Sequence, residues 1–492
     1  MKNWLETHAQ NNPDVLALVS GDEQWTYGAL ARDVRLWAAA LQARGVGAGD
    51  RVGLLAENSA QWVIAAHAIW WVGATVVGFH HRAAPGEWDA LLARVEPALL
   101  ITDDLRGELQ FDRCKKVTFS ELARGLDGGE IAGEARPQAN DQILSILFTS
   151  GSTGRPKAVP LTTQNHLASA NASARRIGRE ENDRWLCCLP LCHIGGLAIV
   201  VRSAVYGTAV ELMSRFDEEQ VLHILEDEPI TLASLVPTML TRLVDASAGR
   251  LKSSLRCVLV GGGPIDELEL RRARAAGIPV VPTYGMTEGC SQLATLSPDE
   301  PDEFLNTAGR ALDGVELAIV DVEGQPVGPG EIGRILVRGP MVTSGYLDAQ
   351  EDRDYGDPWF DTRDFGAVDD DGYLVVAHRR GERIVSGGEN ISPAEVEALL
   401  RRSPEVADVA VVGVDDALWG QAVAALVVAA RPELDRPLNV ELLEALCRRE
   451  LAPYKVPRRW AEATAIPRGS TGKVDRREVR RYFDAPTPDG GA

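Results

Sequence analysis

Lysine is scarce in this chain. Of 51 basic residues among 492, lysine fills only positions 2, 115, 116, 157, 252, 455 and 473, and arginine supplies the rest. The Arg-favouring codons of a GC-rich genome account for that ratio, and they leave each lysine worth inspecting in its own right. Positive charge is also short overall, since 71 acidic residues bring the formal net charge to -20. Such a molecule is ill suited to DNA, RNA or an anionic membrane, so no nucleic-acid partner is expected. Any anionic ligand must be gripped by local cations and backbone N–H groups against the field of the whole protein.

Cysteine is sparse and scattered, at 114, 187, 188, 192, 257, 290 and 447. The odd number and irregular spacing exclude a disulfide framework and fit a reducing cytoplasm. The run Cys187-Cys188-x3-Cys192-His193 has the look of a metal site. Its neighbours Trp185-Leu186 and Leu189-Pro190-Leu191 favour a buried strand entering a loop, with small buried thiols. The pair His80-His81 reads as a loop feature rather than two ligands. Long apolar runs are missing too: MKNWLETHAQNNPD has no apolar signal core. The stretches Trp62 to Phe79 and Leu186 to Val201 are interrupted by His, Gly, Pro or Arg, so no membrane span is expected. No repeat of fixed period is found. The oligomeric state stays open, a homo-oligomer included.

What is present suits a soluble protein of two or three domains, with 45% hydrophobic and 25% charged residues. Tyr27 to Arg44 carries Leu30, Val34, Trp37 and Leu41 at helical spacing. Short apolar strands (Arg51 to Ala56, Gly73 to Phe79) alternate with helices such as Asn58 to Trp71. That alternation predicts an α/β fold with mostly parallel sheets. A second α/β stretch spans roughly 183–295. From about 309 to 376 short strands and Gly-rich turns predict a β-rich subdomain. Near Arg380 the texture changes again to a small α+β domain. The expected division is 1–380 and 381–492.

Five segments carry chemistry. Thr149-Ser150-Gly151-Ser152-Thr153-Gly154-Arg155-Pro156-Lys157 joins a strand to a second element with glycines, hydroxyls and one lysine, a composition suited to cradling phosphate oxygens. It is not a Walker loop, because Pro156 precedes the lysine. Thr283-Tyr284-Gly285-Met286-Thr287-Glu288-Gly289 follows the predicted strand Pro279 to Pro282, and puts a carboxylate beside a hydroxyl, which suits Mg2+ and a phosphate. Upstream, Gly261-Gly262-Gly263-Pro264 offers a flat wall for a purine. Asp364, in Trp359 to Gly366, is placed to accept from a ribose diol, although an ordinary turn Asp fits equally. The last two segments are Ser386-Gly387-Gly388-Glu389-Asn390-Ile391-Ser392-Pro393 and Pro467 to Arg476, the latter with Lys473 on a glycine-flanked loop.

In this order the five segments resemble the acyl-adenylate-forming superfamily of acyl-CoA synthetases, luciferases and peptide-synthetase adenylation domains, from Asn3 to about Tyr482. The resemblance implies a large N-terminal domain and a small, mobile C-terminal domain that rotates between two half-reactions. It implies ATP, Mg2+ and coenzyme A as cofactor and co-substrates. By it, Thr149, Ser150, Gly151, Ser152, Thr153, Gly154 and Lys157 hold the β- and γ-phosphates, and Gly262, Gly263 and Pro264 flank the base together with Thr283, Tyr284 and Gly285. Thr287 takes the α-phosphate, Glu288 the metal, Asp364 and Arg379 the ribose. Lys473 bridges the α-phosphate and the substrate carboxylate. Ser386, Gly387 and Gly388 line a tunnel for the pantetheine thiol. His378 and Gly381 depart from many relatives at the hinge.

The acid is harder to read. His193, in the loop Leu189 to Leu197, is expected near the acyl group with Gly285, although a packed His is an equal alternative. Arg202 interrupts an apolar run and must either find an anion or snorkel to the surface. Ser234 to Leu240 and Thr283 to Gln292 resemble most closely the ligases that handle an aromatic dicarboxylate in menaquinone biosynthesis. Other aryl or medium-chain acyl-CoA synthetases, an adenylation protein that loads a carrier, and a non-catalytic binding protein are the alternatives. The presence of Lys157, Glu288 and Lys473 together argues against the last.

Overall fold

The computed structural model describes residues 2–83, 85–106, 111, 114–124, 132–149, 156–247, 249, 251–263, 267–321, 323–348, 355–356, 358–379, 384–391, 393–430, 438–467 and 474–484. The chain separates into two compact units. One holds Met1–His81, Leu92–Phe148 and Ala158–His378; the other holds Arg82–Leu91, Thr149–Lys157 and Arg379–Ala492.

Local signals set the helices of the first unit. Helix Tyr27–Ala43 starts where the Thr26 side chain accepts from the Ala29 N–H, and it buries Leu30, Val34, Trp37 and Leu41. Helix Ala60–Trp71 is capped by Ser59 and is apolar nearly all round. Its burial follows: Trp62 and Trp70 are among the largest fully enclosed side chains, and Trp70 Nε1 donates to Leu144 O at 2.9 Å. Helix Thr163–Ile177 opens with a reciprocal capping box between Thr162 and Asn165.

Among the described residues the strands form four sheets. A six-stranded sheet runs Lys116–Thr118, Leu99–Thr102, Arg51–Leu55, Thr75–Phe79, Ile143–Thr149, Lys157–Thr162 in spatial order. The pairings of Arg51–Leu55 and Thr75–Phe79 with each other and with their neighbours Leu99–Thr102 and Ile143–Thr149 are parallel. The chain lays Thr75–Phe79 on one side of Arg51–Leu55 and then crosses to the other side for Leu99–Thr102. That reversal opens a crevice at the carboxyl ends of the two strands, where α/β proteins place ligands. A nine-stranded sheet runs Arg310–Ala311, Ser291–Thr295, Val280–Met286, Cys257–Val260, Leu232–Leu235, Arg184–Cys187, Ala209–Leu212, Leu16–Ser20, Glu23–Thr26. Its central strands are parallel, so their carboxyl ends share one edge. The predicted β-rich subdomain is a five-stranded sheet that includes Glu316–Val320, Gly333–Arg338 and Trp359–Val368.

The second unit has its own five-stranded sheet, dominated by the antiparallel pair Val406–Asp416 and Gly420–Ala429, with helices Pro393–Leu400 and Val440–Glu450 beside it. Its core is separate, built from residues such as Ile391, Val396, Leu400, Val411, Val427 and Leu443.

Candidate active site

The parallel edge of the nine-stranded sheet gathers several of the expected segments in the first unit. The strand Arg184–Cys187 leads into the Cys188–His193 loop, Cys257–Val260 into Gly261-Gly262-Gly263, and Val280 onward into the Thr283 segment. Gly261 is tightly confined, since a Cβ there would stand 2.8 Å from the Thr283 carbonyl oxygen. Pro264 lies outside the described residues.

The Thr283 segment departs from the expected geometry. The sequence suggested a strand ending at Pro282 with a loop beyond it, but the strand continues through Met286 and folds back as an antiparallel hairpin with Ser291–Thr295. Thr287–Gly289 forms the single tight turn at its tip, and Cys290 and Ser291 take positive φ. Gly285 admits the close return of the chain: any Cβ on it would overlap the Ser291 carbonyl oxygen. Thr287 and Glu288 therefore sit at the end of a stiff two-stranded arm.

Glu288 is buried and well oriented. Its Oε1 accepts from the Tyr346 hydroxyl at 3.0 Å, and its backbone carbonyl accepts from the Thr343 N–H at 2.8 Å. The Thr343 hydroxyl in turn donates to Pro160 O on the strand that Lys157 begins. Tyr346 and Thr343 were not singled out from sequence. A Thr-Ser-Gly-Tyr turn carries no local signal of what it will touch.

Asp364 is not a turn residue. Three residues, Thr362, Arg363 and Asp364, stand opposite Ile335 alone between two paired positions, so the strand bulges there, with Arg363 at φ 62°. The Thr362 hydroxyl donates to Ile335 O at 2.8 Å, while its oxygen accepts from the Asp364 N–H at 3.1 Å. The bulge aims the Asp364 carboxylate at Tyr284, whose hydroxyl donates to its Oδ2 at 2.7 Å. Two segments some eighty positions apart in the chain thus meet.

Arg202 is 3% exposed, which overturns the snorkelling alternative. It lies on helix Ile194–Tyr206, with its guanidinium 5.6 Å above the Trp185 ring and 3.5 Å from Ser169 Oγ. Its Nε has no hydrogen-bond partner among the described residues. Burial pulls its pKa below the ordinary guanidinium value. Around it runs a polar chain in which Ser169 Oγ donates to Cys290 O at 2.7 Å, Cys290 Sγ is 3.4 Å from His166 Nδ1, and His166 Nε2 is 2.9 Å from Ser145 Oγ. Burial, followed by the Arg202 charge, lowers the His166 pKa to about 3. Burial raises the Cys290 thiol to about 12. Through Ser169 and Cys290 this network links Arg202 to the residue that follows the Thr287–Gly289 turn, a connection no local sequence pattern signals.

His193 precedes the same helix as its N-cap residue without a side-chain capping bond. Asn58 fixes the loop before it. Asn58 Nδ2 donates to Leu189 O at 2.9 Å, and Asn58 Oδ1 accepts from the Leu191 N–H at 2.9 Å. Cys187 and Cys188 are enclosed in the core, as small apolar thiols.

In the second unit, Thr149 ends one strand and Lys157, which is buried, begins the next; Ser150, Gly151, Ser152, Thr153 and Gly154 lie outside the described residues. Arg379 closes the strand Leu374–Arg379, and Lys473 lies outside the described residues. Ser386 ends one arm of a hairpin with Glu389–Ile391, and Gly387 and Gly388 turn it with φ of 58° and 84°. Ser386 Oγ is buried without a hydrogen-bond partner among the described residues. At Gly387 the missing side chain makes room for Trp419, whose ring would stand 2.6 Å from a Cβ. Lys455 is engaged by the carboxylates of Glu87 and Glu395 and serves the packing of this unit.

A two-unit α/β protein with a hydroxyl–carboxylate hairpin tip beside a glycine-walled sheet edge has the form of an AMP-binding enzyme. The chain matches that family over residues 5–347 and the AMP-binding enzyme C-terminal domain over residues 395–473, and it belongs to the family. Among proteins similar to it, the 2-succinylbenzoate–CoA ligase of Bacillus licheniformis is 40% identical, across 97% of this chain and 99% of that one. The o-succinylbenzoate CoA synthetase of Bacillus subtilis, as a double mutant bound with its product analogue, is 35% identical with a TM-score of 0.92 over 99% of both chains. The Bacillus subtilis synthetase in complex with ATP and magnesium ion gives 35% identity and a TM-score of 0.74, over 98% of this chain and 99% of that one.

Proposed function

We propose that this chain is an AMP-forming acid–thiol ligase that joins 2-succinylbenzoate to coenzyme A, a step of menaquinone biosynthesis. The carboxylate attacks the α-phosphate of ATP to give acyl-AMP and pyrophosphate; the coenzyme A thiol then displaces AMP. A carboxylate is already a nucleophile at neutral pH, so the first step asks for charge neutralisation rather than a general base. Full-length likeness to ligases of this name supports the reading.

The roles follow from the residues. Thr149 to Lys157 would hold the β- and γ-phosphates, with Thr287 at the α-phosphate. Glu288 fits Mg2+, because a single buried carboxylate fixed by Tyr346 leaves room for phosphate oxygens and water, the donor set this hard ion prefers. When bound, that ion neutralises phosphate charge. Asp364, held by Tyr284, and Arg379 would receive the ribose. Lys473 would bridge the two reacting anions. Ser386 and the Gly387-Gly388 turn would guide the thiol. The free thiols and the lack of any helix, among the described residues, long and apolar enough to cross a membrane fit work in the cytoplasm.

One observation carries the dicarboxylate in particular: a guanidinium enclosed in the core whose Nε has no hydrogen-bond partner among the described residues. A buried cation left without an anion is strongly unfavourable, and the second carboxylate of the substrate would supply one. Pyrophosphate release across a panel of acids, with and without coenzyme A, tests the assignment. 2-Succinylbenzoate should exceed benzoate and octanoate. Arg202→Leu should reduce its kcat/KM by about tenfold or more while sparing monocarboxylates, given the worth of a charged hydrogen bond. Equal effects on both would remove Arg202 from the substrate site.

A further inference from the structure

Three ligand-bearing side chains from two sheets converge at one corner of the first unit. The donor atoms of His80, Cys192 and His193 all lie within 4.8 Å of one another. His80 directly follows the strand Thr75–Phe79, at the carboxyl edge where the order of the six-stranded sheet reverses. Cys192 and His193 end the loop that leaves Arg184–Cys187 in the other sheet. Neither half predicts the other in sequence, because more than a hundred positions separate them.

The corner is held stiffly. A Cβ on Gly78 would stand 3.0 Å from Cys192 Cα, so strand and loop touch backbone to backbone. Asn58 clamps Leu189 and Leu191, and the His193 N–H donates to Pro190 O at 3.1 Å. The His80 and His193 rings face each other at 5.2 Å between centroids and 44°. Two imidazoles and a thiol held in register form a nitrogen–sulfur donor set.

We propose that His80, Cys192 and His193 form a binding site for a borderline-soft divalent ion, Zn2+ in particular, with the fourth position open to water. Zinc bonds of about 2.0–2.3 Å put tetrahedral ligand atoms about 3.3–3.8 Å apart, which side-chain rotation alone reaches from this arrangement. Mg2+ prefers oxygen donors and does not compete here. On binding, the Cys192 thiol gives its proton to solvent and its sulfur lone pair to the ion. Each neutral imidazole gives the lone pair of one nitrogen, so one proton leaves per ion bound. The site lies in the loop whose His193 the sequence reading expects near the acyl group of the proposed substrate. Resting on that reading, an ion here obstructs the acyl pocket, and ion and acid exclude each other.

Cobalt(II) is the probe. Titrated into the full-length chain, it should bind one equivalent and develop the charge-transfer absorption of a cobalt–thiolate bond, which Zn2+ then displaces. Losing even an outer-shell partner costs metal sites about 10–100-fold in affinity. Cys192→Ser should therefore abolish the absorption and weaken binding at least about tenfold, and His80→Gln should weaken it likewise. Having both variants keeps the test readable should one fold poorly. No stoichiometric binding, or an absorption unmoved by Cys192→Ser, overturns the site. Saturating 2-succinylbenzoate should weaken cobalt binding to the unaltered chain. Cobalt affinity unchanged by the acid overturns the mutual exclusion and the acid's placement at this loop, while thiolate-dependent cobalt binding still upholds the metal site.

Discussion

Tyr346 and Glu288 illustrate how much a single hydrogen bond decides at the site. The phenol holds one carboxylate oxygen and so fixes where the other points. Partners of this kind typically contribute about 10–100-fold to metal affinity. Tyr346→Phe should thus raise the Mg2+ concentration for half-maximal pyrophosphate release about tenfold, with little change in thermal stability. An unaltered Mg2+ dependence would dissociate Glu288 from the metal. His166 makes a second, independent statement. Its folded pKa of about 3 lies below the ordinary histidine value of 6.5, so the unfolded chain binds the extra proton first. The stabilisation from keeping this ring neutral is complete above about pH 6.5 and is lost progressively as pH falls towards 3. His67, lowered by burial to about 4, adds in the same sense. Thermal melts between pH 7.5 and 5 should slope downward, and His166→Gln should flatten that slope. A melt independent of pH over this range would mean these rings are not buried neutral.

At the scale of elements, the hairpin Val280–Met286 and Ser291–Thr295 depends on one missing side chain. Gly285→Ala would force a methyl into the Ser291 carbonyl oxygen, a rigid backbone atom. Overpacking of this kind costs about 1–3 kcal/mol and more where nothing can give, so a loss of at least about 3 kcal/mol is expected. Gly324→Ala is the control. Its φ is 84° and no atom lies within 4 Å of the added carbon, so only backbone strain of about 1 kcal/mol applies. Chemical denaturation measures both, and a loss at Gly285→Ala no larger than that at Gly324→Ala would show that the hairpin yields to the methyl group. The same hairpin explains what was legible from sequence. Helical and strand periodicity marks Tyr27–Ala43 or Thr75–Phe79 well, because burial on one face is a local pattern. At Thr287, Glu288 and Asp364 the hydroxyl and the two carboxylates were legible as residue types, without their geometry. The antiparallel return after Pro282, the bulge that aims Asp364 and the burial of Arg202 were not. The return hangs on the close backbone approach that Gly285 permits, while the bulge and the burial are set by partners in other elements, Ile335 and Ser169, and no local spacing encodes them.

For the whole molecule, two lysines carry the proposed phosphate chemistry in a protein whose formal charge of -20 opposes it. Lys473→Ala should reduce acyl-adenylate formation by about a hundredfold or more, the range for loss of a transition-state charge partner. It should leave the reaction of supplied acyl-AMP with coenzyme A within about threefold, since that step no longer joins two anions at the phosphate. Stopped-flow assay of the separate half-reactions distinguishes the cases, and equal loss in both would assign Lys473 to general folding or to both steps.

The edge of the nine-stranded sheet carries a cost during synthesis. Leu18 pairs with Val210 and Val19 with Glu211, so the Leu16–Ser20 strand has no parallel neighbour until nearly two hundred further residues are made. At about 5–20 residues per second that is a wait of about ten to forty seconds. Until then the sheet edge beside Leu18 and Val19 has only the short Glu23–Thr26 strand, while helices Tyr27–Ala43 and Ala60–Trp71 can cover the strand's faces. The open edge of that strand is then a natural docking place for a chaperone that binds short apolar segments.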